Sequence, residues 1–449
     1  MLICSPSHAL HGGVETIIND LCGELPRRGW DALVALGKGA RFNNVDAYRD
    51  VYPDLPIIEI DGTKGTRQSR VEALLKVIKA TRPDVVLSAR VFDAYEAIGL
   101  LKQSSASPRM AVAIRAYEPH YLHDARLYRN CIDLCVADGN LLTDTLIQFC
   151  GFCPKKVANV PGGVHAPKVV SRCRSSELIR IGYVGRLEQN QKRIFDLASL
   201  VRNLDTIGIH YTIDIVGTGP EEEGIKDKLS AWVSKGSVAF HGWQSHDALY
   251  DQFFPHMDCL VHFAHTEGVT MAPREAMAHG VVPVISEFTG LRAERQFIDG
   301  MNSLVFPVGD TEAAASRIQR LIVEPNLIER LSSNGICSQT GRYSFSGSMD
   351  EWASALNECL ERAPEQGTLP KLNVLSDGRL AQMGLPPQVA QRIRDLLGRR
   401  HVHSDPGSEW PTRSGLMTEY DEREILQFAS EYERKIEAAQ IAAGVAVDC

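Results

Sequence analysis

Apolar and polar positions along this chain alternate between two periods. Short apolar runs, "MLICSP", "WDALVALG", "DVVLSAR", "RMAVAIRA" and "DLCVADG", read as buried strands. The stretches between them repeat every three to four residues. In "VETIINDLCGELPRRG" the positions Val14, Ile17, Ile18, Leu21 and Leu25 form one helical face. Strands alternating with helices predict a parallel, doubly wound α/β sheet. Near 157–167 the pattern stops at "VANVPGGVHAP", followed by the charged "SRCRSSE", and an interdomain hinge is expected there. It resumes with strand "LIRIGYVG", helix "QKRIFDLASLVRNL", strand "YTIDIVGTG" and helix "EEEGIKDKLSAWVSKG". Strand "VAFHG", helix "HDALYDQFFPH" and strands "MDCLVHFAH" and "VVPVIS" follow, and a long helix at about 346–363 closes the series. Two Rossmann-like units in series are expected: 1–165, and 166–345 with a closing helix at 346–364.

The remainder, 365–449, breaks the alternation. A helix starting near Thr418 and Asp421 has a capping-box-like beginning. Its stripe Ile425, Ala429, Tyr432, Ile436 and Ala439 suits docking on a body or on a partner helix, which leaves room for an oligomer through the tail.

Composition adds exclusions. The 449 residues are 44% hydrophobic and 23% charged, as expected of a globular protein. A net charge of −8 argues against a general nucleic-acid surface. No apolar run has transmembrane length, and Glu15, Asp20 and Glu24 exclude a secretory signal in the first 25 residues, so a cytoplasmic protein is expected. Eleven scattered cysteines fit a reducing compartment, and "CGFC" at 150–153 has no matching second pair, so it reads as structural. No metal or cofactor is called for.

The densest chemistry lies in "HTEGVTMAPREAMAHG", residues 265–280. Helix signals begin near Thr270 and end at Gly280, and Pro273 is tolerable only in a first turn. Glu267 is therefore expected in a strand-to-helix loop, and Glu275 in the early helix. The amides of Val269, Thr270 and Met271 form a helix N-terminus that attracts anions. Taken alone, Glu275 complementing the helix dipole and Glu267 in solvent would be sufficient. But "GYVGRLEQNQKRIFDL" sets Arg186 after a strand and Lys192 near the next helix start, where cations oppose the dipole unless an anion binds. Gly12 and Gly13 open the first domain's first loop, where they permit close backbone approach or simply make a tight turn. "VGTGPEEEG" has Glu222 at the third glycine of a dinucleotide fingerprint and is discounted as such a site.

Together "HGGVETI", "YVGRL…QK", "IVGTGPEEE", "VAFHGW" and "TEGVTMAPREAMAHGVVPVIS" resemble glycosyltransferase family 4, retaining enzymes of the GT-B fold. Glu267 and Glu275 match the family's E-x7-E signature, and the resemblance spans about residues 1–362. It implies two Rossmann-like domains facing across a cleft, plus a helical tail, and transfer of a sugar from a nucleotide-sugar donor to a saccharide, lipid-linked or small-molecule hydroxyl. The implied catalytic set is Glu267, Arg186 and Lys192. Glu275 would hold the ribose. Gly12, Gly13, Gly268 and the amides of Val269, Thr270 and Met271 would join the diphosphate site, with the base near Gly242 and Trp243. Metal-independent chemistry and peripheral membrane association are compatible with it. His11, Arg115, Glu118 and His120 are the acceptor-side candidates, with His8 also in the first loop. The sequence departs from the family at Lys192, one residue late, at Arg193 in place of glycine, and at Gly162 and His165 in "PGGVH". An epimerase or other GT-B enzyme, or a silent sugar-nucleotide-binding subunit, are the alternatives.

Overall fold

The computed structural model describes residues 1–10, 12–102, 107–167, 178–365, 367, 369–370 and 383–442. Two compact units divide the chain. The first takes Met1–Asp138, Leu142–Val160 and Met349–Phe428; the second takes Gly139–Leu141, Pro161–Ser348 and the residues from Ala429 on.

The first unit is built on seven parallel strands: β1 (Leu2–Pro6), β2 (Leu33–Lys38), β3 (Ile57–Asp61), β4 (Val85–Ser88), β5 (Arg109–Ile114), β6 (Leu134–Ala137) and β7 (Val157–Asn159). Their order is β3-β2-β1-β4-β5-β6-β7. The second unit has six: β8 (Ile179–Val184), β9 (Tyr211–Val216), β10 (Val238–Phe240), β11 (Cys259–His262), β12 (Val282–Ser286) and β13 (Leu304–Phe306), ordered β10-β9-β8-β11-β12-β13 and again all parallel. The expected doubly wound class is confirmed in both units. Strands such as β1, β4 and β12 are buried along their whole length, because helices cover both faces of such a sheet. In each unit the winding direction reverses beside the first strand, between β1 and β4 and between β8 and β11. Ligands in open α/β sheets bind outside the carboxyl ends of strands at such a reversal.

Three elements, β3, β7 and β13, add to the strands expected from the sequence, and β7 falls where a Gly/Pro hinge is expected. The helix expected from Gln191 instead starts at Asp196. Arg193 explains the delay, since its φ of +50° is left-handed and cannot continue a right-handed helix. The glycines of "VGTG" have a packing role. A Cβ on Gly217 would stand 2.0 Å from the carbonyl oxygen of Gly185, and one on Gly219 would stand 2.3 Å from that of Leu187. In "CGFC", Cys150 is buried, Cys153 is exposed, and neither is in a disulfide. No helix among the described residues is long and apolar enough to cross a membrane.

The closing helix spans Phe345–Glu361, and the tail that follows contributes to the interior of the first unit. Glu409 is 1% exposed and accepts from the amides of Arg41 (2.8 Å), Phe42 (2.9 Å) and Asn43 (2.7 Å) and from Asn43 Nδ2 (3.0 Å). Burial opposes its charge, but these donors hold its pKa below the ordinary value. Trp410 is fully buried and donates to Lys38 O at 3.1 Å. Its ring needs glycines beneath it: a Cβ on Gly37 would lie 2.5 Å away, and one on Gly62 2.7 Å. The helix Glu419–Ala442 begins at the expected cap, with Thr418 N to Asp421 Oδ2 at 2.9 Å and Asp421 N to Thr418 Oγ1 at 3.2 Å. Ile425 and Ala429 of the predicted stripe are buried. Trp410→Ala is expected to cost about 3–5 kcal/mol, the range for a large core truncation. Glu409→Ala is expected to cost about 1–3 kcal/mol, because amides at 41–43 lose their acceptor. Denaturant titration of the full chain followed by circular dichroism checks both, and a change within error would detach the tail from the first unit's core.

Candidate functional site

The second unit's site is assembled around its switch point. After β11 the chain runs through a loop to Thr270, which caps a short helix, Met271–Ala278, from an extended conformation without a side-chain cap bond. Gly280, at φ +75°, ends it. These limits are the expected ones: Glu267 lies in the loop and Glu275 in the helix. Eight residues are too few for a helix to be stable by itself. Packing compensates, since every residue from Pro273 to Ala278 is buried. Arg274, 0% exposed, fastens the helix to its surroundings. Its guanidinium donates to Gln339 Oε1 at 3.0 Å, to Tyr343 O at 3.2 Å and to Gly162 O, and lies over the Tyr343 ring. These oxygen acceptors help to satisfy a fully buried cation.

Glu267 is 8% exposed, and Lys192 Nζ is bonded to its Oε1. The lysine loop is tied to the glutamate loop by His265 N to Gln191 O at 2.9 Å and by Gln191 Nε2 to Thr266 O at 3.0 Å. Gly290, at φ +109°, lets the chain pass beneath, where a Cβ would lie 2.3 Å from Glu267 O. His262, the last residue of β11 and 3% exposed, points Nε2 at the same carboxylate oxygen from 3.7 Å. That distance is outside hydrogen-bond range, so Nε2 is buried without a bond. Burial pushes the Glu267 pKa up, yet the Lys192 charge and then His262 outweigh it and bring it down to about 2. Burial, chiefly, lowers the His262 pKa and keeps the ring neutral.

Glu275 is 6% exposed in contrasting surroundings. Tyr250 OH donates to its Oε1 at 3.1 Å, and His246 Nε2 is 3.7 Å away. The Tyr250 ring stacks on His279 (4.6 Å between centroids) and on His246 (5.8 Å). His165, one of the departures in "PGGVH", stacks on Phe345 at 3.8 Å. With no full cation bonded, burial dominates and raises the Glu275 pKa.

The other sequence candidates scatter. Arg186 directly follows the loop turn after β8, has a side chain 61% exposed, and reaches Glu188 at 3.4 Å. Gly242, at φ +65°, accepts from Gly217 N at 2.7 Å, and Trp243 beside it is 55% exposed. Gly268, Val269 and Thr270 are buried in the loop before the helix. In the first unit, Gly12 caps the helix Gly13–Glu24 and Gly13 begins it, and a Cβ on Gly12 would lie 2.7 Å from Glu15 Oε2. Glu15, 1% exposed, pairs with Arg90 after β4. Arg115 follows β5 and is engaged with Val160 O at 2.7 Å and Asp138 at 3.1 Å. Glu118 is exposed, and His120 is half-buried, its pKa lowered by burial and by Arg413. His8 is half-buried, and His11 lies outside the described residues. The structure thus joins Lys192 to Glu267 and keeps Arg115, Glu118 and His120 in the other unit. His262, Tyr250, His246 and Arg274 escape sequence reading. A histidine inside the apolar run "MDCLVHF", read only as a strand position, is the one signal that could have found any of them.

Residues 179–324 match the family model of glycosyl transferases group 1. A capsular polysaccharide biosynthesis glycosyltransferase, CapM of Staphylococcus aureus, is 24% identical over 183 residues, 41% of this chain and 47% of the relative. The match thus spans about half the length of that curated relative. Solved structures share the fold. An apo lipopolysaccharide outer core galactosyltransferase, WaaB, aligns with TM-score 0.61 and 18% identity, over 80% of this chain and 99% of its own. Anabaena HepE with UDP and glucose gives 0.63 and 17%, over 79% and 98%. The pneumococcal O-GlcNAc transferase GtfA with UDP and GlcNAc gives 0.66 and 11%, over 81% and 99%. The architecture is that of GT-B glycosyltransferases.

Removing only Lys192 strands a buried carboxylate. Lys192→Met is expected to destabilise the protein by about 3–5 kcal/mol near neutral pH, and Glu267→Gln in the same chain should recover most of it. Glu267 has its pKa lowered from 4.5 to about 2 on folding, so its stabilisation is complete above about pH 4.5 and is lost as pH falls toward 2. Glu267→Gln should remove that acid-side slope. A double-mutant cycle by denaturant titration at several pH values tests both, and additive effects would show that the pair contributes nothing.

Proposed function

We propose that this chain is a retaining glycosyltransferase of family 4 type. It would move a sugar from a nucleotide sugar to an acceptor hydroxyl of a saccharide, a glycolipid or a small molecule. The observation that carries the reading is the coupling of Lys192 to Glu267 beside the reversal between β8 and β11, within the stretch that matches group 1 glycosyl transferases. Two neighbours support the donor class, since the Anabaena and pneumococcal structures hold UDP with glucose or GlcNAc.

In this reading Arg186, Lys192 and the amides of Val269, Thr270 and Met271 hold the diphosphate, and Gly12 and Gly13 allow backbone approach. Gly242 and Trp243 meet the base. Glu275, with Tyr250 and His246, takes the ribose hydroxyls. Glu267 faces the transferred sugar. The bond from the anomeric carbon to the diphosphate breaks, and a bond to the acceptor oxygen forms on the same face. The acceptor proton leaves with the departing phosphate oxygen. Fixed positive charge and amide dipoles stabilise that leaving group without reorganisation, so no metal is required.

The two glutamates should fail differently. Glu275→Gln removes a contact equal in ground and transition states, so the donor KM should rise with kcat little changed. Glu267→Gln should chiefly lower kcat while nucleoside diphosphate still binds. Steady-state kinetics in the presence of chelator read both effects. Equal losses in the two variants, or turnover only with added metal, would refute the assignment.

A cytoplasmic enzyme peripheral to a membrane fits the tail surface. On the helix Pro387–Leu396, Ala390 and Gln391 are buried while Val389, Arg392 and Leu396 share an exposed face. Leu396 is 87% exposed, and Leu397, Val402, Arg399 and Arg400 are exposed beside it. This basic, apolar patch sits on a chain of net charge −8. Vesicles containing phosphatidylglycerol should cosediment with the protein, about fivefold less for each arginine replaced by alanine. Equal binding to purely zwitterionic vesicles would rule out this surface as an anionic-lipid contact.

A further inference from the structure

Lys192 has two claims on it. In the structure its ammonium is bonded to Glu267, and under the donor reading the same ammonium must hold a diphosphate. A diphosphate carries more charge than a carboxylate and offers several acceptor oxygens, so it draws the lysine toward itself. Glu267 then remains 8% exposed with its principal counter-charge displaced. A buried carboxylate in that position must gain a proton or a new donor.

One donor is already aimed at it. His262 Nε2 stands 3.7 Å from Glu267 Oε1, buried and without a bond. A movement of about half an ångström, well within side-chain freedom, would bring it inside hydrogen-bond range. The ring sits at the end of β11, with its neighbour on β12 at Ile285 and the Phe288 ring edge-on at 6.1 Å. The ionisable groups acting on it are Lys192 and Glu267. Tyr183 of β8 also lies in the field of Glu267, with its hydroxyl donating to Arg186 O at 3.1 Å. Lys192 depresses the basicity of His262, and its retreat removes that depression while leaving the attraction of Glu267.

We propose that His262 is a positioning residue that takes over Glu267 when the donor diphosphate engages Lys192, accepting a proton from solvent as it does so. The inference rests on the donor reading above. The bookkeeping is simple: the empty site holds one cation beside one carboxylate, and the occupied site restores that balance with an imidazolium. Glu267 stays ionised and oriented toward the sugar through the exchange. Proton uptake follows from this coupling, and by linkage donor affinity must weaken as pH rises.

The test is isothermal titration calorimetry of the full chain with UDP-glucose near pH 7. Its diphosphate is a diester with no proton to exchange there. The same titration is run in PIPES and in Tris, whose ionisation enthalpies differ. The wild-type heat should depend on the buffer with a slope that reports proton uptake of up to one per site. Its affinity should fall by up to tenfold per pH unit on the alkaline side. His262→Asn should abolish the slope yet bind UDP-glucose, with kcat reduced and KM little changed. Lys192→Met should also lose the slope, since no exchange remains to be made. His262→Gln serves if the asparagine variant is unfolded by circular dichroism, and the wild-type slope needs no variant at all. Binding without buffer dependence, or a slope retained in the His262 variants, overturns the inference alone. Failure of UDP-, ADP- and GDP-glucose all to bind overturns the donor reading, and the inference with it.

Discussion

A carboxylate that is 8% exposed stays charged here because an ammonium from another loop reaches it. That requirement shapes the second unit around β8 and β11. Lys192 must leave the sheet edge, turn and present its side chain to residue 267 before a helix can begin. Arg193 makes the turn at φ +50°, and its guanidinium is fixed by Asp196 at 2.8 Å. The family resemblance has glycine at this point, and the geometry shows why: the conformation is left-handed. An arginine there accepts the strain, of order 1 kcal/mol. The helix begins only at Asp196 as a result.

The first unit repeats the device with the chemistry reversed. There the acid, Glu15, follows β1, and the cation, Arg90, follows β4. In the second unit the cation follows β8 and the acid follows β11. Arg90, like Arg193, lies in the left-handed region, at φ +64°. Each reversal of winding direction therefore carries a buried carboxylate paired with a half-buried cation, drawn from the segments that follow the two flanking strands. Both pairs sit where an α/β sheet leaves a crevice. Charge is expensive to bury, and hydrophobic isosteres would stabilise at least as well. Pairs kept at both crevices are consistent with a role in binding rather than in folding.

Much of this was legible in the sequence, and the reasons for the rest are specific. The alternation of periods revealed both sheets, because parallel strands buried on two faces read as unbroken apolar runs. Thr270, Pro273 and Gly280 revealed the short helix to within a residue, since each imposes its own backbone geometry. Thr418 and Asp421 did the same for the last helix. Contacts between distant segments were hidden. Nothing in the sequence around Glu409 and Trp410 points to their partners at 37–43 and 62. His262 read as one more strand position, because nothing local shows that its Nε2 faces a carboxylate. The "VGTG" stretch is discounted as a dinucleotide fingerprint, but only the structure shows that Gly217 and Gly219 make room for neighbouring backbone.

The spacing of the two glutamates follows from what each must experience. Placed within one turn of each other, two buried carboxylates would share surroundings and repel, and one would be forced neutral. Eight residues put one in a loop, within reach of a lysine, and the other on a buried helix, within reach of a tyrosine hydroxyl. The environments then separate their properties. Lys192 holds Glu267 ionised, while burial drives Glu275 toward its protonated form. A ligand with an anionic centre and neutral hydroxyls on both sides needs that division. Its charge belongs with the cation beside Glu267, and its hydroxyls can meet acceptors that differ in how firmly they keep their charge. Arg274, one residue before Glu275, makes the division durable, because its bonds to Gln339, Gly162 and Tyr343 fasten the helix that carries Glu275.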